Sequence, residues 1–144
     1  MDETIKYTAD VVVTTTDGYV LLVERGWEPY VGMWALPGGH VDAGETSRAA
    51  AARELAEEAG VYAAAEELTP VGVFDEPGRD PRGRYVTVAY HLEVLPGTEV
   101  RPGDDATRAE WWPLNALPPL AFDHAEIIET VKASYPAAPA QEEV

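Results

Sequence analysis

Three glutamates fall within the segment RELAEEAGV, which spans residues 53–61. Glu54 precedes Glu57 by three residues and Glu58 by four, so on a helix the three side chains share one face. Like charges at this spacing repel by roughly 0.2–0.5 kcal/mol per pair, in a chain whose formal net charge is already −16. A divalent cation would turn that repulsion into coordination, because Mg²⁺ binds a few carboxylates together with substrate phosphates. The alternative is a solvated acidic helix face.

The helix that carries these glutamates is predicted over residues 46–59. Thr46 or Ser47 is suited to the N-cap, and Gly60 follows the last turn. A narrow apolar face at helical spacing should pack on a sheet, with the glutamates on the opposite side. That face consists of Ala52, Leu55, Ala56 and Ala59. Such close packing would hold the carboxylates in place, which favours the metal site.

The preceding segment LPGGHVDAGE can support such a site. Gly38 and Gly39 allow the backbone to approach a ligand or a metal closely. Glu45 lies just before the helix and Arg53 lies within it, so an ion pair between them would fasten the loop to the helix. We interpret this pair as structural support.

Residues 38–61 resemble a complete Nudix box. The box consists of Gly, five residues, Glu, seven residues, Arg-Glu, an aliphatic residue, any residue, Glu-Glu, any residue, Gly and an aliphatic residue. The matching positions here are Gly39, Glu45, Arg53, Glu54, Leu55, Glu57, Glu58, Gly60 and Val61. The flanking segments GMWALPGGH and AEWWPLNALPPL are also similar to those of the family, so the resemblance covers most of residues 8–130.

The resemblance implies an α/β fold, the Nudix α/β/α sandwich with a mixed β-sheet. It implies hydrolysis of a nucleoside diphosphate linked to another group, with Mg²⁺ or Mn²⁺. Glu54 and Glu58 would be metal ligands, Glu57 would be a ligand directly or through water, and the carbonyl of Gly38 could add another. The family is not uniform about the group that takes the proton of the attacking water. It is a box glutamate in some members and a carboxylate on a distant loop in others. Here Asp105 is the loop candidate, although its segment PGDDATR could equally be a solvated turn.

Three of the arginines, Arg79, Arg82 and Arg84, fall within the segment GRDPRGR. In a chain this acidic, the cluster indicates a phosphate clamp, because guanidinium groups grip phosphate oxygens in pairs. Arg25 could add a phosphate contact or form a surface salt bridge. The segments VFDEPGRDPRGRYVTVAYH and LAFDHAEII resemble ADP-ribose pyrophosphatases, which implies ADP-ribose as substrate and AMP and ribose 5-phosphate as products.

Two other functions fit the same box. One is hydrolysis of oxidised nucleoside triphosphates, and the other is a non-catalytic domain that senses ADP-ribose. Phe74, Tyr85 or Tyr90 could face the adenine, although each fits a core position equally well. His124 has a capping, packing or substrate-contacting role.

The rest of the chain predicts a single domain over residues 1–135 and a disordered tail over 136–144. Strands and two helices alternate irregularly, which indicates a mixed sheet. Predicted strands include a hairpin with its turn at Asp17-Gly18, residues 34–36, 70–75 and 85–94, and a second helix covers 122–135.

Composition limits the partners. The chain has 144 residues, no cysteine and no apolar run long enough for a membrane span. A net charge of −16 disfavours nucleic acid, whose binding is driven by Lys and Arg. The polar, acidic start is not a signal peptide. We therefore expect a cytoplasmic protein that binds a small nucleoside diphosphate derivative, and family resemblance adds a homodimer.

Overall fold

Strand β1 is the centre of a mixed sheet in the computed structural model, which describes residues 3–134. The elements in chain order are β1 Ile5–Thr15, β2 Tyr19–Arg25, β3 Trp34–Ala35, β4 Gly38–His40, α1 Ser47–Ala59, a 3₁₀ helix Ala65–Glu67, β5 Thr69–Phe74, β6 Arg84–Val94, β7 Ala106–Pro113 and α2 His124–Ser134. The sheet order is β3-β2-β1-β6-β5, while β4 pairs with β1 and β7 with β2. Strands β1 and β6 are parallel, and the other pairs within the described chain are antiparallel. The predicted α/β fold with a mixed sheet is confirmed.

The two helices cover opposite faces of the sheet, because alternate residues of a strand point to opposite sides. Val11 and Val13 of β1 belong to the apolar cluster that packs against Leu55 of α1. Val12, between them, belongs to the second cluster, with Ile127 of α2. A site formed where the strands end can therefore draw side chains from both layers.

Helix α1 begins and ends where the sequence predicts. The side chain of Thr46 accepts a hydrogen bond from the Ala49 N–H, and Gly60 adopts the left-handed conformation (φ 71°) that ends many helices. Its buried face differs from the prediction, because Ala52 and Ala56 are only partly buried. The residues that pack on the sheet are Ser47, Ala50, Ala51, Leu55 and Ala59.

This rotation of the buried face changes the environment of the glutamates. The sequence interpretation placed all three opposite the packed face, which is wrong for two of them. The side chain of Glu54 is only 16% exposed, and Glu58 is partly buried. Glu57 is the one that faces solvent, at 59% side-chain exposure. The reason is that β4 and the segment before β7 pack beside the helix, with Gly39 against Glu54 and Gly103 against the backbone of Glu58.

Other elements depart from the sequence prediction at their ends. Strand β4 is not among the predicted strands, because its sequence, GGH, carries no strand pattern; it forms by pairing with β1. Helix α2 begins at His124 rather than at residue 122, because Phe122 is left-handed (φ 54°) and cannot continue a helix. The turn at Asp17-Gly18 joins β1 to β2 as predicted. The predicted tail, 136–144, lies outside the described residues. Neither of the two α-helices in the described chain has the length and apolarity of a membrane span.

Candidate active site

A cavity of about 460 Å³ opens beside the C-terminal half of α1. Its acidic side chains include Asp10 of β1, Glu58 of α1 and Asp105 of the loop before β7. Its basic side chains include Arg25, Arg79 and Arg82. The fold thus brings a carboxylate group and an arginine group from distant parts of the sequence to one cavity.

Glu58 has the most perturbed carboxyl group at the cavity. Burial raises the pKa of Glu58 to about 8, and the negative charges of Glu54, Asp10 and Asp105 add to the rise. A hydrogen bond from the Gly38 N–H to Oε1, at 3.1 Å, opposes it. The other oxygen, Oε2, has no hydrogen bond within the described residues. Without a cation, this carboxyl group holds its proton at neutral pH.

Glu54 lies against the glycine pair of β4. A Cβ atom added to Gly39 would lie 2.5 Å from Cδ of Glu54, so any larger residue would displace the carboxylate. A Cβ on Gly38 would overlap Asp10 and the backbone of Ala9. Burial raises the pKa of Glu54, and its bond with Arg53 opposes the rise. Both glycines are therefore required by close approach to other parts of the protein. The approach to a ligand or a metal that the sequence indicated stays a prediction.

Arg53 joins the loop before α1 to the helix. Its Nε donates to Oε2 of Glu45 at 2.8 Å, and one Nη donates to Oε1 at 3.0 Å. The other Nη donates to Glu54 at 2.9 Å and to Glu57 at 3.3 Å. The bond from Arg53 lowers the pKa of Glu45 to about 2. This geometry matches the supporting pair expected from the sequence.

Glu57 is not brought into the cavity. Its carboxylate is exposed, and the contact found for it is the ion pair with Arg53. A role as a direct cation ligand would require its side chain to leave that arginine. A contact through water requires no such movement.

A divalent cation such as Mg²⁺ needs oxygen ligands that are not already bound to other groups. No group of three or more Asp, Glu, His or Cys side chains in residues 3–134 is arranged as a closed metal site. The two carboxylates of Glu54 and Glu58 flank the backbone at Gly38 and Gly39, and each keeps one oxygen without a hydrogen bond to the described chain. Mg²⁺ is usually held by one or two carboxylates, waters and substrate phosphates. The residues present therefore fit an open Mg²⁺ site that a substrate completes.

Two of the predicted clamp arginines reach the cavity with carboxylate partners already bound. Arg79 is almost fully buried and donates to both oxygens of Asp123, at 2.9 and 2.6 Å. Arg82 donates to both oxygens of Asp80, at 3.0 and 2.7 Å, and this pairing raises the pKa of Arg82. Arg84 instead donates to the carbonyl of Asp75 and is not among the described residues that line the cavity. A clamp of three equivalent arginines is thus not what this loop forms.

Arg25 braces the loop that follows β2. Its Nε donates to the carbonyl of Pro29 at 2.7 Å, and its guanidinium lies 4.9 Å from the ring centre of Phe122. Burial lowers the pKa of Arg25, and the charge of Arg82 adds to the effect. Arginine starts from so high a value that the group stays positive at neutral pH.

Three cavity residues had escaped the sequence analysis or had no firm role there. Asp10 is buried and accepts a hydrogen bond from Thr87 at 2.6 Å. His124 is buried, and its Nδ1 accepts from the N–H of Leu36 at 3.0 Å. Trp27 lines the rim with 65% exposure. An acidic residue within the apolar run of β1 was a usable signal for Asp10. The role of His124 depends on a contact distant in sequence, and the position of Trp27 depends on how the loop after β2 folds.

Burial lowers the pKa of His124, while the negative charges of Asp10 and Asp123 oppose the shift. The imidazole is therefore neutral at pH 7. Since Nδ1 accepts a hydrogen bond, the proton lies on Nε2, which is 3.9 Å from Oδ2 of Asp10. The packing role that the sequence left open for this histidine matches the observed contacts.

The three aromatic candidates for adenine contact lie in different places. Tyr85 lines the cavity, with the guanidinium of Arg82 4.7 Å from its ring centre. Tyr90 is buried in the core and its hydroxyl shares a 2.6 Å hydrogen bond with Ser47. Phe74 packs against the cluster beneath α2. Only Tyr85 of these three reaches the cavity.

Fold and site together define a class: an α/β protein with a mixed sheet, whose cavity joins a carboxylate-bearing helix to arginine side chains. The sequence model of the NUDIX domain matches residues 4–131. The chain therefore belongs to the NUDIX domain family, which confirms the resemblance seen in the sequence.

Three known proteins illustrate its relationships. The ADP-ribose pyrophosphatase of Methanocaldococcus jannaschii is 45% identical over 113 residues, which cover 78% of this chain and 65% of that protein. The chain thus spans just under two thirds of that relative's length. A MutT/nudix family protein from Enterococcus faecalis has a TM-score of 0.86 at 30% identity, over 99% of this chain and 66% of the other. The NUDIX domain of Shewanella oneidensis NrtR, complexed with ADP ribose, has a TM-score of 0.84 at 30% identity, over 92% and 90%.

Proposed function

We propose that the protein hydrolyses ADP-ribose to AMP and ribose 5-phosphate and requires a divalent cation, Mg²⁺ or Mn²⁺. The observation that carries this proposal is the cavity of about 460 Å³, which has both carboxylates and arginines in its lining. Its volume is in the range of small-molecule sites, roughly 300–1,000 Å³. Similarity to an ADP-ribose pyrophosphatase and to a domain complexed with ADP ribose supports the choice of substrate.

Glu54 and Glu58 would hold the cation, with the carbonyl of Gly38 beside them and Glu57 acting through water. When bound, the cation supplies neutralisation of the charge that builds on the pyrophosphate and activation of the attacking water. The raised pKa of about 8 is that of Glu58 in the metal-free protein. To become a ligand, Glu58 would have to lose its proton, because a carboxyl group binds a metal in its ionised form. Binding of the cation would therefore release a proton near neutral pH.

Asp105 is our candidate for the group that takes the proton from the attacking water. It lines the same cavity as Glu58 and lies close enough for its charge to raise the pKa of that residue. A box glutamate is the alternative base. Because the metal-bound glutamates have their oxygens committed, a carboxylate on the facing loop is better suited to accept a proton.

Arg82 and Arg25 would bind the phosphates. Each keeps guanidinium N–H groups that are not committed to a protein acceptor, while a carboxylate or carbonyl fixes the rest of the group. A guanidinium held in this way loses little side-chain entropy when it grips a phosphate. Arg79 is so deeply buried with Asp123 that its contribution is to place positive charge near the cavity.

Trp27 would supply a stacking surface for the adenine. It is 65% exposed at the cavity rim, and no hydrogen bond or ring contact is found for its side chain within the described chain. An exposed indole offers a large flat apolar surface, and base–aromatic stacking contributes about 1–3 kcal/mol. Tyr85, whose ring centre lies 4.7 Å from the guanidinium of Arg82, is another aromatic side chain in the cavity lining.

The test is a comparison of kcat/KM for ADP-ribose, other sugar nucleotides and oxidised nucleoside triphosphates, each with Mg²⁺ and with a chelator. We expect the highest kcat/KM for ADP-ribose, products that are AMP and ribose 5-phosphate, and no turnover with the chelator. Preference for a triphosphate with release of pyrophosphate would establish the alternative hydrolase. Tight ADP-ribose binding without turnover would establish the sensor, which similarity to the NrtR domain favours and the complete box disfavours.

We also propose a small-molecule partner rather than nucleic acid, on the basis of the net charge of −16. The homodimer stays a prediction from family resemblance. Light scattering of the purified protein would measure its mass, and a mass of one chain at micromolar concentration would contradict the dimer.

A further inference from the structure

Residues 36–38 comprise the two-residue link between β3 and β4 and the first residue of β4, and we call them the connector. A different element holds each of the three residues. The N–H of Leu36 donates to Nδ1 of His124 at 3.0 Å. The carbonyl of Pro37 accepts a hydrogen bond from the N–H of Val11 at 3.0 Å. The N–H of Gly38 donates to Oε1 of Glu58 at 3.1 Å. The connector therefore links α2, on one face of the sheet, to the glutamate helix on the other.

The imidazole of His124 is a fixed acceptor. The residue is 4% exposed at the first position of α2. The ring of Phe122 packs 5.3 Å from it, centre to centre, and Nε2 faces Asp10 at 3.9 Å. Asp10 is in turn held by Thr87. An acceptor that is packed on all these sides sets the position of the N–H that it binds.

We propose that His124 is a positioning residue for the carboxylate of Glu58, and that it acts through the 36–38 connector. The inference rests on the proposed function, in which Glu58 is a cation ligand. The Leu36 N–H is buried, so the connector must shift if its acceptor is lost. The fixed φ of Pro37 passes that shift to Gly38.

Gly38 has no room to absorb such a shift. A Cβ atom there would already overlap Asp10 and the backbone of Ala9, so the backbone lies in contact with β1. A displaced N–H would give a longer or bent hydrogen bond to Glu58. The direct role of a catalytic base is not open to Nδ1, because its lone pair is used by Leu36.

The experiment compares two variants of similar polarity. His124→Asn keeps an acceptor at the δ position, whereas His124→Gln carries its amide one bond further and lacks that acceptor. We expect His124→Asn to keep kcat within about threefold of the wild type. His124→Gln should lose about tenfold or more in kcat, with KM within about twofold, because the phosphate-binding arginines are untouched.

Two measurements without substrate separate positioning from simple packing. Hydrogen exchange should show the Leu36 amide protected in the wild type and in His124→Asn, and exposed in His124→Gln. The rise in melting temperature on addition of Mg²⁺ should follow the same order. These measurements do not depend on ADP-ribose, so a wild type that prefers another substrate would overturn the proposed substrate and leave this inference standing.

Three outcomes would overturn the inference. The first is His124→Gln with an exposed Leu36 amide but wild-type kcat and Mg²⁺ response, since the connector would then not transmit the change. The second is equal loss of kcat in both variants, since the δ acceptor would then not be the property that matters. The third is a lower melting temperature in both variants with unchanged kcat, which would show that His124 acts only in packing.

Discussion

Glu58 has the most strongly raised pKa of the carboxyl groups whose shift is resolved in the described chain. It is partly buried, it receives a backbone hydrogen bond, and three further carboxylates raise its pKa. Such a group is unfavourable in the protein alone and becomes favourable with a cation. A residue whose environment is costly without a ligand is a strong candidate for a functional position.

Replacing Glu58 by Gln should separate the metal-site interpretation from a solvated acidic face. The change keeps the shape and removes a ligand, so kcat should fall by roughly a hundredfold or more. Most of the rise in melting temperature caused by Mg²⁺ should disappear as well. Steady-state kinetics and thermal melting with and without Mg²⁺ provide the check. Near-wild-type turnover in this variant would defeat the metal site on α1.

The pKa of Glu58 also predicts how the stability of the metal-free protein depends on pH. The folded protein keeps this proton up to about pH 8, whereas the unfolded chain releases it near the ordinary glutamate pKa of 4.5. Between those values the folded state binds more protons, so the free energy of unfolding should fall as pH rises. The slope from this group is at most about 1.4 kcal/mol per pH unit.

Urea unfolding at pH 5 and pH 7.5, in a chelator, would measure this effect. The stability of Glu58→Gln relative to the wild type should increase between the two values by about 1–3 kcal/mol. The two buried histidines, whose pKa values are lowered, give the opposite slope but are common to both proteins. A relative stability that stays constant with pH would contradict the raised pKa.

At the scale of elements, the carboxylate partners of its arginines define the role of the loop between β5 and β6. Arg79 is a buried anchor for Asp123 at the start of α2, and Arg82 is a partly exposed group oriented by Asp80. The loop is therefore attached to α2 at one point and presents a guanidinium at another. Attachment gives the presented group a defined position, which a free surface loop would not provide.

Arg82→Lys tests that presented group and avoids leaving the Asp80 carboxylate without a cation. Lysine keeps the charge but cannot bind two oxygens of a phosphate in parallel. We expect KM for ADP-ribose to rise about tenfold and kcat to stay within about threefold, because ground-state binding is lost. Arg84→Lys is the matched control, since Arg84 bonds a carbonyl away from the cavity. Equal effects in the two variants would show that the loop contributes only positive charge and that Arg82 has no specific contact with the phosphates.

At the scale of the whole molecule, the cavity is lined by residues of every strand except β5, of both α-helices and of five connecting segments. Helices on both faces of the sheet supply side chains to it. The chain folds its acidic and basic residues so that one small ligand can touch both groups, although the molecule as a whole is strongly negative. A phosphorylated ligand must therefore be attracted locally, by the arginines and the cation.

The proposed stacking of Trp27 on the adenine predicts how the protein responds to each half of the ligand. Trp27→Ala should raise KM for ADP-ribose about tenfold, because stacking contributes about 1–3 kcal/mol, while Trp27→Phe should stay near the wild type. AMP should quench the tryptophan fluorescence of the wild type and ribose 5-phosphate should not. Both Trp27 variants should lose that quench. An unchanged KM in Trp27→Ala would remove the indole from the adenine site.

The sequence by itself determined the parts of this protein that depend on local spacing. The bounds of α1, its N-cap at Thr46 and its left-handed Gly60 follow from side chains within a few residues of each other. The same holds for the β1–β2 turn and for the approach of Arg53 to Glu45, eight residues apart. The complete box pointed to the family for the same reason, because its fixed positions span a single loop and helix.

Only the tertiary structure decided which charged groups are buried and which partners they have. His124 meets Leu36 across 88 residues, Thr87 meets Asp10 across 77, and Arg79 meets Asp123 across 44. Whether a box glutamate faces solvent or the cavity depends on how β4 packs beside α1. Burial of a charged group and its pairing with a remote residue arise only when the layers pack together. Until then each charged side chain is surrounded by water, and residues distant in sequence have no fixed separation.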